Sequence, residues 1–215
     1  MNVLSWCATF FKEGGPFMYP ILGVAVLTAA IGLERSIVIL SAGRVRAEKL
    51  LSRVVAALRS GGGLAQAVAT CRSGDAPLLR VGAAILDQPD GQATESVLQH
   101  SAEAAAGVHL APLSRRLSYL VMLANVATLL GLLGPVFGLI YAFGAVNAAD
   151  PAQRSALLAQ GIAQALNTTA FGLIIAVPTL ALHGYLVSQV ESISDQVEEF
   201  SARLVSLLVR KRDLV

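Results

Sequence analysis

Three long runs without a charged side chain restrict the fold of this sequence more than any other feature. They extend over Gly14–Leu33, Leu117–Ala149 and Ser155–Val190. A helix needs about 20 mostly apolar residues to cross a bilayer, and each run is long enough. The runs predict an all-α membrane protein with long cytoplasmic helical extensions. Its three transmembrane helices are expected at Phe17–Leu40, Tyr119–Phe143 and Gly161–Val187.

The composition supports a membrane protein and argues against two other classes. The chain is 55% hydrophobic and 14% charged, whereas soluble domains have about 45–50% apolar and about 25% charged residues. This composition disfavours a soluble domain. The net charge of +2 is too small for a nucleic-acid surface. Membrane lipid is the expected environment of the spans, and no nucleic-acid partner is expected.

The distribution of lysine and arginine predicts the orientation of the spans. Nine of these residues lie in 41–118 and four in 188–215, whereas Lys12 and Arg154 are the two on the opposite side. Cytoplasmic loops carry the excess of basic residues, so both of these segments are predicted to be cytoplasmic. The N-terminus and the 144–160 loop are then periplasmic.

The segments outside the spans are predicted to be helical as well. Residues 1–16 contain Trp6 and fit an interfacial periplasmic helix, with a frayed terminus as the alternative. Region 41–118 is expected to form four helices, the last interrupted at Pro112 and leading into the second span. In 188–215 apolar residues recur every three or four positions, and no helix breaker precedes them, which indicates one helix of about 50 residues with the third span.

Motifs of soluble enzymes are missing from the sequence. It contains no GxSxG, P-loop, HExxH or CxxC pattern, and its three histidines are scattered. Cys7 and Cys71 fall on opposite sides of the predicted membrane and lack the spacing of metal ligands. The sequence therefore predicts no enzyme, no cofactor and no metal site, and both cysteines are interpreted as small apolar residues.

Small residues form a stripe on the second span and another on the third. In lipid, small residues let helices approach closely, so these stripes are predicted to pack helices together. A closed ring of copies would use such a surface identically in every copy, which favours a homo-oligomer. The predicted packing residues are Gly131, Gly134, Gly138, Ala165 and Gly172.

Uncharged polar side chains and a proline interrupt the same two spans. The third span begins with Gln164, Asn167, Thr168 and Thr169, and Pro135 lies within the second. Proline frees the carbonyl four residues before it, and such a defect lasts only where protein or water can satisfy it. Two interpretations compete. These groups either bond neighbouring helices together, which composition alone favours, or line a hydrated ion pathway.

Acidic and basic side chains are missing from the central parts of all three spans. Charged groups are costly in a membrane and usually mark pathways. This chain alone therefore has no carboxylate that could bind and release a proton there. If ions cross, a partner must supply the titrating group.

Four segments of the sequence resemble the MotA/TolQ/ExbB proton-channel family, on its TolQ/ExbB side. The order, the spacing and the predicted topology also agree, and the resemblance covers roughly residues 14–205. The last two segments are the more specific. The four are GGPFMYPILGVAVLTAAIGLER (14–35), CRSGDAPLLRVGAAIL (71–86), LLGLLGPVFGLIYAF (129–143) and GIAQALNTTAFGLIIAVP (161–178).

The resemblance implies a stator subunit in a bacterial inner membrane. Family members form a five-fold ring around two copies of a single-span ExbD/TolR-like partner, whose membrane aspartate carries the proton. Proton-motive force then drives an envelope machine for outer-membrane uptake, envelope constriction or gliding motility. The alternative is a non-conducting scaffold of the same fold. A solute transporter would need internal repeats that the sequence lacks.

Two positions depart from the family pattern. That pattern reads Gly-Ile-Ala-Glu-Ala-Leu and then Ala-Thr-Ala in the third span, and Leu-Gly-Thr-Val in the second. Thr169 matches the third-span threonine, but Gln164 replaces the glutamate and cannot titrate, and Pro135 replaces the second-span threonine. Thr168 and Asn167 add polar groups that could compensate. The resemblance thus implies an ion pathway along these five residues.

Overall fold

The computed structural model describes residues 11, 14–60, 63–88, 94–148 and 150–212, and their regular structure is helical. Most of the interfacial helix expected at 1–16, including Trp6, lies outside the described residues. Seven helices follow one another in the described part of the chain: α1 (Met18–Ala42), α2 (Ala47–Arg59), α3 (Gly63–Cys71), α4 (Pro77–Leu86), α5 (Glu95–Ser114), α6 (Leu117–Ala148) and α7 (Arg154–Arg212).

Three of the helical stretches are long and apolar enough to cross a membrane. These stretches are Met18–Arg59, Glu95–Val146 and Arg154–Arg210, and they include α1 and most of α6 and α7. The class predicted from the charge-free runs, an all-α membrane protein with three spans, is therefore confirmed.

The longest helix, α7, continues from the third span into the C-terminal segment. It contains 59 residues and passes through Pro178 without a break. The absence of a glycine or proline after the span predicts this continuity. Since the described helix is longer than about 20 residues, only part of it is needed to cross a bilayer.

The expected interruption at Pro112 lies in a different place. Pro112 is inside α5, which ends at Ser114, and the break falls at Arg115 and Arg116, where Arg116 adopts a φ of 67°. The Arg35 guanidinium donates 3.2 Å hydrogen bonds to the carbonyl oxygens of Pro112 and Arg115. These bonds satisfy carbonyls at the end of a helix, which lack intrahelical partners, and so stabilise an end after the proline.

The chain divides into two compact units, which we call the span unit and the extension unit. The span unit comprises Met1–Leu33 and Arg116–Gly184, and the extension unit comprises Glu34–Arg115 and Tyr185–Val215. Helices α1 and α7 contribute to both units, α6 belongs to the span unit, and α2 to α5 belong to the extension unit.

The extension unit encloses a core of large apolar side chains. Helix α2 buries Leu50 and Val54 at helical spacing and exposes Lys49 and Arg53, as an amphipathic surface helix does. The remaining core residues come from four further helices. Those with the least exposure are Ala67 and Cys71 of α3, Val81, Ile85 and Leu86 of α4, Leu98 of α5, and Val197, Phe200 and Leu204 of α7.

The span unit has a smaller buried cluster. Val24 of α1, Leu123, Ala124 and Ala127 of α6, and Ala176 of α7 form it. Many large apolar side chains of this unit are exposed instead, as expected where lipid is the solvent. The contact of α6 with α7 inside this unit contains the candidate site.

Candidate functional site

The facing surfaces of α6 and α7 touch through their backbones, and we call this contact the seam. A methyl group added at Gly172 would lie 2.7 Å from the Ala127 carbonyl oxygen, and one added at Gly131 would lie 3.3 Å from the Gly172 Cα. Such proximity requires small residues. The seam consists of Ala127, Gly131, Gly134, Gly138 and Ala142 of α6 and Gly161, Ala165, Thr168, Thr169 and Gly172 of α7.

The five residues that the sequence suggests for packing all lie in the seam. At its other end, a methyl group on Gly138 would lie 3.3 Å from the Ala165 Cβ and 3.2 Å from the Gly161 carbonyl oxygen. The two small stripes therefore pack against each other within one chain. Since intrachain contacts occupy them, a ring of copies would have to use other faces of the helices.

Thr168 is a buried member of the seam, with 1% of its surface exposed. Its hydroxyl donates to the Gly14 carbonyl oxygen at 2.5 Å and lies 2.9 Å from the Gln164 carbonyl oxygen. A Cβ on Gly134 would overlap the Thr168 side chain. Thr168 thus joins α7 to the segment that precedes α1, and it needs the glycine of α6 opposite it.

Thr169 is the neighbouring residue but meets a different partner. Its hydroxyl lies 3.0 Å from the Gly131 carbonyl oxygen of α6 and 3.2 Å from the Ala165 carbonyl oxygen of its own helix. The residue is half-buried, as is Pro135 one turn beyond Gly131. Thr169 thus meets α6 one turn before Pro135.

The two amides of the predicted cluster lie elsewhere on α7. The Gln164 amide lies over Gly15, where φ is 76° and an added Cβ would overlap the amide nitrogen. Asn167 is half-buried and is about 200° around the helix from Thr169. Gln164 and Thr168 are one turn apart and both meet the segment before α1, whereas Thr169 bonds to α6. Of the four polar side chains, only Thr168 and Thr169 belong to the seam.

Two polar residues of α6 were missed by sequence reasoning. Asn125 is exposed, and Thr128 is half-buried and donates to the Ala124 carbonyl oxygen at 3.0 Å. Their positions are ten and seven residues before Pro135, so Thr128 shares its helix face and Asn125 is close to that face. The sequence signal for this surface is the Asn125 amide inside a charge-free run.

The electrostatics of the candidate site come from dipoles and not from ionised groups. Residues 18–33 of α1, 117–148 of α6 and 155–184 of α7 carry no Asp, Glu, Lys or Arg, and Arg154 is the first residue of α7. Glu34 and Arg35 form an ion pair with an O–N distance of 2.7 Å, and this pair belongs to the extension unit. Hydroxyls, amides and free carbonyls can orient water, but none of them is an acid that exchanges protons near neutral pH.

The fold and the site together define a multi-pass, all-α membrane protein whose spans provide hydrogen-bonding groups without an acid. Residues 72–199 match the model of the MotA/TolQ/ExbB proton channel family. This match covers more than half of the 215 residues, and the protein belongs to that family. The resemblance drawn from the four sequence segments is therefore confirmed.

Curated relatives agree with the family assignment. The chain is 27% identical to an ExbB homolog of Methanothermobacter thermautotrophicus, a biopolymer transport protein, over 92% of this chain and 69% of that one. It is 30% identical to the Tol-Pal system protein TolQ of Haemophilus influenzae over 59% of this chain and 56% of that one. It is 31% identical to the biopolymer transport protein ExbB of Salmonella typhimurium over 45% of this chain and 38% of that one. The chain thus spans about half the length of TolQ and less of the Salmonella protein.

Proposed function

We propose that this protein is the ring-forming subunit of a proton-driven stator in a bacterial inner membrane. With an ExbD/TolR-like single-span partner, it converts proton-motive force into mechanical work on an envelope machine. The machine serves outer-membrane uptake, envelope constriction or gliding motility. One charge moved through 100 mV is worth about 2.3 kcal/mol, which is enough to drive a conformational step.

The observation that carries this proposal is a seam with hydrogen-bonding groups in spans that lack an acid. The Thr169 hydroxyl lies against the Gly131 carbonyl oxygen of α6, one turn before Pro135, and the described span-unit helices contain no carboxylate. A proton carrier is then needed from outside the chain. A membrane aspartate on the partner supplies it, and the Thr169 side chain of the seam orients the water that the proton crosses.

We propose a homopentamer that encloses two partner copies. The seam is occupied within each chain, so the copies meet through outer faces of the spans. Those faces carry large exposed side chains such as Val26 (62%), Ile140 (61%) and Val177 (62%). A single mass of five chains in native mass spectrometry supports this assembly, and a stable monomer or dimer in mild detergent contradicts it.

We also propose that the N-terminus is periplasmic and the C-terminus cytoplasmic, from the asymmetry of basic residues. In a Cys7→Ser background, a membrane-impermeant thiol reagent applied to intact spheroplasts should label Asp150→Cys and spare Ser52→Cys. Both positions are exposed in the structure. Labelling of Ser52→Cys in intact spheroplasts means that this orientation is wrong.

A second candidate function is a non-conducting scaffold. The observation in its favour is that the hydroxyls of Thr168 and Thr169 both donate to carbonyls of the same chain. Gln164 also cannot titrate. In a scaffold these bonds would only hold helices together, which is worth about 0.6 kcal/mol per bond on average.

Proton flux into liposomes separates the two functions. The chain is reconstituted alone, with its partner, and with a partner whose membrane aspartate is replaced by asparagine. A stator conducts only with the intact partner, because that carboxylate is the proton carrier. A complex that assembles with the intact partner but shows no flux above empty liposomes supports the scaffold.

A further inference from the structure

Pro135 changes the hydrogen bonding of the carbonyl one turn before it. The proline lies inside α6, where residue 135 would normally donate its backbone N–H to the carbonyl oxygen of residue 131. Proline has no N–H, so the Gly131 carbonyl oxygen loses its helical donor. Within a membrane span such a carbonyl must find another donor in the protein or in water.

Thr169 provides that donor. Its hydroxyl has one hydrogen and lies near two carbonyl oxygens, at 3.0 Å from Gly131 and 3.2 Å from Ala165. The Ala165 carbonyl lies four residues before Thr169, and so it already accepts the backbone N–H of Thr169 in the ladder of α7. The Gly131 carbonyl has no such bond. The Thr169 hydroxyl therefore donates its hydrogen to the Gly131 carbonyl oxygen.

The seam makes this bond possible. A Cβ on Gly131 would lie 3.5 Å from the Thr169 Cα, and one on Gly172 would lie 3.0 Å from the Gly131 Cα. Larger residues at these positions would hold the two helices apart. The proline exposes the acceptor, and the glycines bring the threonine of the other helix within reach of it.

We propose that Pro135 is a positioning residue that fixes the hydroxyl hydrogen of Thr169 on the Gly131 carbonyl. The Thr169 oxygen then presents only its lone pairs to the pathway. It accepts a hydrogen bond from water or from a protonated carboxylic acid, and it cannot donate to an ionised carboxylate. Pro135 stands where the family has a second threonine, and it thus makes the Thr169 hydroxyl a hydrogen-bond acceptor toward the pathway. The role in conduction rests on the proposed function, whereas the bond itself does not.

The bond is tested by solid-state NMR of the membrane-embedded protein. Carbonyl-¹³C glycine with ¹⁵N leucine selects five Gly–Leu pairs in the sequence, and Leu132→Ile identifies the pair of Gly131. Thr169→Val should move the Gly131 carbonyl resonance upfield in the Pro135 background, because the carbonyl loses its donor. In Pro135→Ala the resonance should not respond to Thr169→Val, since a backbone N–H at position 135 serves the carbonyl.

Two controls separate this coupling from a general disturbance of the helices. Pro178→Ala removes the proline of the other helix and should leave the response to Thr169→Val unchanged. Thr169→Ser keeps the hydroxyl and should leave the Gly131 resonance in place. A Gly131 resonance that ignores Thr169→Val, or that moves equally in the Pro135 and Pro135→Ala backgrounds, overturns the proposal.

Flux per assembled complex then tests the positioning role. Pro135→Ala should reduce the flux although Thr169 is intact, and Pro178→Ala should not, because only the first change releases the Thr169 hydrogen. Unchanged flux in Pro135→Ala overturns the positioning role. A wild-type complex that conducts no protons overturns the proposed function instead. The two failures are distinguishable, because the Gly131 carbonyl resonance would still respond to Thr169→Val.

Discussion

The span unit and the extension unit bring their helices together with opposite kinds of residue. In the extension unit large side chains fill the interior, and Phe200 is only 1% exposed. In the span unit the seam consists of small residues, mostly glycine and alanine, while Phe143 on the same helix, α6, is 60% exposed. In water, removing a large apolar side chain from the solvent is favourable. In lipid that gain is absent, and close backbone contact decides the packing.

The largest loss of folded protein is expected from a substitution where the seam is tightest. In Gly172→Leu the new side chain would begin 2.7 Å from the Ala127 carbonyl oxygen and 3.0 Å from the Gly131 Cα. Overpacking costs about 1–3 kcal/mol where side chains can adjust, and here backbone atoms would have to move. The amount of monodisperse protein on size exclusion in mild detergent should fall to about a tenth or less.

Gly23→Leu is the matched control for this prediction. It makes the same change in another span helix, but a Cβ there meets nothing within 4 Å. Its yield should stay near that of the wild type. Equal yields of the two variants would mean that the seam is not the contact that holds α6 and α7 together.

The same substitution in the two units should have unequal effects. Phe200→Ala empties a site in the extension core, beside Gly82 and Cys71, and should cost about 3–5 kcal/mol of unfolding free energy. Phe143→Ala removes a ring exposed on the span unit and should cost less than about 0.5 kcal/mol. Thermal unfolding followed by circular dichroism measures both. A larger loss for Phe143→Ala would contradict the comparison.

A smaller effect on stability, which depends on pH, is expected from the buried Cys71 thiol of the extension unit. Burial raises the pKa of Cys71 from its ordinary value of 9.0 to about 11. The folded state favours the neutral thiol, so this contribution to stability is complete below pH 9 and is lost as the pH rises towards 11. At pH 8 the folded thiol should react with an alkylating reagent about a hundredfold more slowly than the unfolded one.

This reactivity is measured in a Cys7→Ser background, with and without denaturant. Cys71→Ala serves as the control for labelling at other side chains and should also abolish this part of the pH dependence between 9 and 11. A folded Cys71 that reacts as fast as the unfolded one would show that the interior of the extension unit is open to water.

The pattern of charges and breakers predicted the helices well. The charge-free runs coincide with the three helices that are long and apolar enough to cross a membrane, and the absence of a breaker after the third run predicted the continuity of α7. Pro112 was a weaker guide, because hydrogen bonds from Arg35 stabilise a helix end beyond it. Such a bond joins residues 77 or 80 positions apart, and local pattern does not contain it.

The candidate site was predicted as a set of residues but not as an arrangement. Thr168 and Thr169 are neighbours in sequence, yet one bonds Gly14 and the other bonds Gly131. Successive residues of a helix point about 100° apart, so their partners depend on which element lies on each side. Periodicity finds the small stripes, but it does not tell whether they meet within a chain or between chains.

The two adjacent threonines allow the most direct test of the pathway through Thr169. Proton flux per assembled complex is measured in liposomes with the partner present, for Thr169→Val and Thr168→Val. Each change keeps the shape of the side chain and removes its hydroxyl. Thr169→Val should abolish the flux of complexes that still assemble. Thr168→Val should lower the amount of complex, since its hydroxyl ties α7 to Gly14, and leave the flux per complex near that of the wild type. Full flux from well-assembled Thr169→Val complexes would contradict the pathway and leave both hydroxyls as helix-packing groups.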